Sequence, residues 1–271
     1  MTNPTRKKTP EIIKKPFATG TPMDGETWKR AGFFFGTQLL MAFLFLLVCS
    51  MTGFSQPILR ILVNLAIISA VLLVFYNNGM SYGTSAVARG EIVYQKREKG
   101  SHVAESEAKL CYHPLKGFLP GLLGTLPLVI LAVILAIIAQ KQTTTQGTLP
   151  GWLQGYLVRD EIGGALKSYT NHAAMGFMDI IRILMRILLL PYINLVGTSD
   201  TNALLWVERL GPVLVLLPAV AYGIGFTRGP SVRARVHTEI AENRKKRIRR
   251  EKRERKLRRA AENRRGPEQL N

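Results

Sequence analysis

A chain of 271 residues, 47% hydrophobic and with a net charge of +19, could in principle be a basic soluble protein, but its apolar residues are not spread in the periodic stripes of a soluble fold. They collect in runs such as FLPGLLGTLPLVILAVILAIIA at 118–139, uncharged over more than the roughly 20 residues that cross a hydrocarbon core of about 30 Å. The class this implies is all-α, a polytopic helical integral membrane protein, and only two cysteines, Cys49 and Cys111, argue against a disulfide framework.

Residues 1–30 hold seven Lys or Arg, three acids and four prolines, a mixture that buries no core and reads as a basic flexible cytoplasmic arm. The first span is expected at 31–51, too long for a signal-peptide core and without a small-residue cleavage site, so it should stay as an anchor. TGFSQP then permits only a hairpin turn into a second span at 57–76. Pro57 opens that span, and Arg60 is close enough to its end to snorkel to the interface.

Residues 77–117 form a polar connection with six Lys or Arg and four Glu. Within it NNGMSYGTSAVARG reads as a loop, and 91–112 as partly helical or stranded. The third span is expected at 118–140 and the fourth at 203–226. The intervening 141–202 reads as an external loop, with Trp152, Tyr156 and Tyr169 suited to an interface and an amphipathic helix at 176–196. Residues 227–271 form a basic cytoplasmic tail.

Charge parity decides how many runs cross. Lys and Arg in short loops stay on the cytoplasmic side. The arm has seven, the 77–117 connection six and the tail seventeen, whereas 141–175 has three. An even number of crossings keeps all the rich segments inside, at the plasma membrane with both termini cytoplasmic. The run MDIIRILMRILLLPYINLVG at 178–197 is therefore the one left out. Asp179, Arg182 and Arg186 fall on one helical stripe, and each Arg at mid-bilayer costs roughly 2.5–3.5 kcal/mol. The expectation is four spans plus an interfacial or re-entrant helix on the outer face, broken near Pro191, its arginines in water and Asp179 paired locally to Arg182.

The tail offers the strongest candidate site. Arg244, Lys245, Lys246, Arg247, Arg249, Arg250, Lys252, Arg253, Arg255, Lys256, Arg258 and Arg259 would engage an anionic partner, RNA or the ribosome, or acidic lipid headgroups. Thr238 is placed to cap a helix running to about Arg265, where Gly266-Pro267 stops it. Glu242–Lys246, Glu251–Arg255 and Glu254–Arg258 would support it. No aromatic residue interleaves the cations, which argues against base stacking. In composition alone the tail resembles the ribosome-tethering tails of membrane insertases, with no insertase motif elsewhere.

Two further features point to transport. The stripe Asp179, Arg182 and Arg186 could contact a substrate or pair with Glu208. Pro120 and Pro127 in span three, with Pro212 and Pro218 in span four, could kink or break those helices as in transporters. His102, Glu105, Glu107, Cys111 and His113 lack usual zinc spacing, and no GxSxG, HExxH or P-loop occurs. No cofactor or metal is expected. The leading expectation is a non-enzymatic scaffold or accessory subunit, in contact with lipid and with other membrane subunits. The alternative is a small-solute or ion transporter.

Overall fold

The computed structural model describes residues 12–51, 56–139, 151–170, 177–197 and 200–264. Their regular structure is helical, apart from an isolated bridge between Thr19 and Tyr112. Four helices are long and apolar enough to cross a membrane, so the chain is an all-α polytopic membrane protein. The hairpin turn at 52–55, the stretch 140–150 and the Gly266-Pro267 stop lie outside the described residues.

Helix α1, Gly25–Ser50, starts six residues before the expected span. A capping box sets its start: the Thr27 N–H donates to Asp24 Oδ1 at 2.8 Å, and the Asp24 N–H donates back to Thr27 Oγ1 at 3.3 Å. Two orphan amides of the first turn are thereby satisfied.

Helix α2, Pro57–Glu98, is unbroken for 42 residues, about 63 Å at 1.5 Å per residue. Its apolar part, 57–76, suffices to span; the rest corrects the expected loop at 77–90. The glycines there serve close approach rather than turning. A Cβ on Gly79 would strike the Tyr222 carbonyl, one on Gly83 the Phe226 carbonyl, and one on Gly90 would come 2.7 Å from the Ala18 oxygen. All three keep φ outside the left-handed region.

Next come α3, Glu105–Lys109, a 3-10 turn at Pro114–Gly117, and α4, Phe118–Ile138. The expected external loop holds α5, Gly151–Gln154, a 3-10 turn at Gly155–Val158, and α6, Gly163–Thr170. The amphipathic stretch is α7, Phe177–Leu188, and α8, Leu190–Val196, with the break at Leu189 and Pro191 buried in the first turn of α8. Neither alone reaches across a bilayer. Finally come α9, Thr201–Thr227, and α10, Gly229–Arg264. Pro120 sits in the first turn of α4, and α4 and α9 run on through Pro127, Pro212 and Pro218 without interruption. The broken half-helices of the transport expectation are therefore not seen.

The chain divides into two compact units. In the span unit, 22–79 and 114–225, α7 and α8 pack against α4 and α9 through Leu128, Ala132, Ile181, Met185, Ile193 and Val207. The Asn194 amide donates to the Cys49 carbonyl at 3.0 Å, satisfying an orphan group at the end of α1. The Arg60 guanidinium lies against Gly197, which closes α8 at φ +95°, placing a cation at a helix C-terminus.

In the terminal unit, 1–21, 80–113 and 226–271, the described part of the arm is docked rather than loose. Ile13 N–H donates to Thr238 Oγ1 at 3.0 Å, Ala18 N–H to the Gly90 carbonyl and Gly20 N–H to the Tyr112 carbonyl, both at 3.0 Å. These bonds overcome a composition that predicts disorder. Tyr112 stacks on buried Phe226 with centroids 5.1 Å apart, and Ala18, Val93 and Cys111 form a small core.

Candidate functional site

The expected cationic stretch lies on α10. Every residue from Asn243 to Ala260 is exposed. From Arg244 to Arg259 there are twelve cations and two acids, on a rise of about 24 Å. That is one net positive charge per roughly 2.4 Å, comparable to the phosphate spacing of about 1.7 Å along duplex DNA. Cations occupy every side of this run; the large apolar residues within it are Ile248 and Leu257, both exposed. The helix begins at Gly229, nine residues before Thr238. Thr238 is thus no cap; its hydroxyl donates to the Ala234 carbonyl at 2.9 Å. Glu251 accepts from Arg247 at 2.9 Å, where Arg255 was the expected partner.

The arginine stripe takes the partner that the sequence offered as one option, Glu208. Arg186 reaches Glu208 of α9 at 2.7 Å, and Arg182 lies 3.5 Å from the same oxygen. Glu208 is 4% exposed. The arginines are partly buried in the span unit, not standing in open water. Asp179 lies in the first turn of α7, where a carboxylate suits the helix dipole. A single carboxylate, Glu208, thus sits between two guanidiniums, hydrogen-bonded to that of Arg186 and only ion-paired to that of Arg182.

A second ion cluster, which the sequence reading missed, lies in the terminal unit. Glu91 accepts from Arg233 Nε and Nη2 at 3.1 and 3.0 Å and meets His237 Nε2 at 2.7 Å. Lys14 and Lys15 line the same small cavity. Glu91 stands beyond the apolar stretch of α2. Burial pushes its carboxyl up, but the hydrogen bonds and charges of Arg233 and His237 outweigh burial and hold it below the ordinary 4.5. The signal was present in the spacing: Tyr82, Ala86, Gly90 and Val93 form a helical stripe, and Arg233 and His237 are four apart.

At the start of α1, fully buried Lys116 pairs with Asp24. Burial raises the Asp24 carboxyl, yet the Lys116 and Thr27 hydrogen bonds prevail and lower it below 3.8. In the 102–113 segment Glu105 pairs with Lys109 at 2.8 Å and Glu107 with Lys96 at 2.7 Å. Cys111 is buried, its Sγ 3.5 Å from the Glu107 carbonyl. Among the described residues no three His, Cys, Asp or Glu side chains gather to hold a metal ion. Compared with known protein families, with curated proteins and with solved structures, the chain matches none.

Proposed function

We propose that this chain is a non-enzymatic membrane protein, a scaffold or accessory subunit that holds a polyanion at the membrane surface through α10. The observation that carries this reading is the exposed run from Arg244 to Arg259, with twelve cations on all sides of one helix. A helix that lies in a lipid interface needs an apolar face, and Ile248 and Leu257 alone do not make one. An extended phosphate chain such as RNA, including that of the ribosome, is the better fit, with acidic headgroups as the weaker partner. The counts of Lys and Arg support both termini facing the cytoplasm, at the plasma membrane. Transport draws less support, because the proline-bearing helices are continuous and the arginine stripe is paired to Glu208.

The test uses the full chain in mild detergent with a fluorescent 20-nucleotide polyuridine, titrated between 50 and 400 mM salt. If about eight of the cations meet phosphates, log affinity should fall with log salt at a slope near −5 to −6. Deleting 243–271 should abolish binding. A slope shallower than about −2, or binding that survives the deletion, overturns the reading.

A further inference from the structure

Three buried polar atoms of the span unit lack a hydrogen-bond partner among the described residues, Arg60 Nε, Arg182 Nε and the side-chain oxygen of Gln38, and of these Gln38 alone lines an apolar cavity. Gln38 is 3% exposed and lies thirteen residues into α1 from Gly25, near the middle of the span. Its amide nitrogen is 3.5 Å from the Val215 carbonyl. Reversing the amide would set oxygen against oxygen, so the orientation is fixed by that neighbour. The oxygen is left toward a cavity of about 40 Å³ that Gln38 lines with Phe45, Ile68, Leu72, Phe75 and Pro191. Phe45 and Leu72 are half-buried, which leaves a way in beside them.

A water needs two to four polar partners to be held in a buried site. Of the side chains lining this cavity only Gln38 and Tyr192 carry a polar group, the rest being hydrocarbon or thioether, and hydrocarbon outside supplies no donor. A molecule with one hydroxyl and an apolar body needs a single acceptor and buries the rest of its surface. We propose that this cavity binds the hydroxyl end of an alkyl-chain alcohol, with Gln38 Oε1 accepting the hydroxyl proton and Phe45, Leu72 and Phe75 flanking the chain. The volume admits a methylene chain end and not a ring system, since about 10–15 Å³ is taken by each water-sized group.

The experiment places the full chain in phosphatidylcholine vesicles with a diazirine-bearing octanol, against the same diazirine on octane. Octanol should label α1, α2 or α8 peptides around the cavity roughly fivefold more than octane does. Unlabelled octanol should compete, and Gln38→Leu should reduce labelling to the octane level. Because Gln38→Leu could disturb packing, Leu72→Phe serves as a second variant: it keeps Gln38, fills the cavity and should also remove labelling. Equal labelling by both probes, or labelling untouched by either variant in a monodisperse, helical protein, overturns the proposal.

Discussion

Replacing Glu91 by Gln should loosen the terminal unit and remove part of its sensitivity to acid. The carboxylate is 6% exposed and takes two guanidinium bonds and the His237 contact. Arg233 keeps about a third of its side chain in solvent, so its pair is counted near 1 kcal/mol. The buried bond to His237 adds roughly 1.5–3 kcal/mol. The expected loss is about 3 kcal/mol, or roughly 6–12 °C in melting temperature. Because the Glu91 pKa is lowered on folding, its contribution is complete above the ordinary value of 4.5 and fades as pH falls through the folded value. Wild type should therefore lose its advantage over Glu91→Gln between neutral pH and the region below 4.5. Thermal melting of both proteins in detergent across that range is the assay, with Lys14 and Lys15 intact in each. Equal melting at pH 7, or a gap that stays constant down to pH 3, refutes the reasoning.

Lys116→Met leaves the Asp24 carboxylate buried without its cation and should cost about 3 kcal/mol; adding Asp24→Asn should restore much of it, which a double-mutant cycle in melting temperature would reveal. Gly83→Ala should destabilise by about 1–3 kcal/mol, since the new Cβ meets the Phe226 carbonyl. Gly36→Ala has open space around it and should stabilise α1 by up to about 1 kcal/mol, so the two glycines are expected to differ in sign on the same melting assay.

Apolar run length made the four long helices legible, because a bilayer imposes one dimension on every crossing. The third and fourth spans fall at their expected places, and the break before α8 falls near Pro191. Glycine misled at 77–90, where local punctuation and close helix approach use the same residue; only the Tyr222 and Phe226 carbonyls tell them apart. The Asp24-x-x-Thr27 capping box was visible as spacing but lay hidden in a proline-rich, charged arm. Pairing of Arg186 with Glu208 spans 22 residues and was one of the options the sequence offered for the stripe, whereas Glu91 with Arg233 spans 142, a separation to which charge patterning along a chain has no access. The exposed cations of α10 were legible because they interact with nothing that the fold must arrange.

The bond between Asp24 and Lys116 joins residues 92 apart. At roughly 5–20 residues per second of synthesis, about 5–18 seconds pass between the two being made. During that interval α1 already has its own start, because the box with Thr27 is local, but its buried acid has yet to meet its cation. The first helix is thus defined early by its neighbours in sequence and locked late by the entrance of α4. A lesion at Lys116 would strike the maturing chain after its first hairpin has been made, not at its beginning.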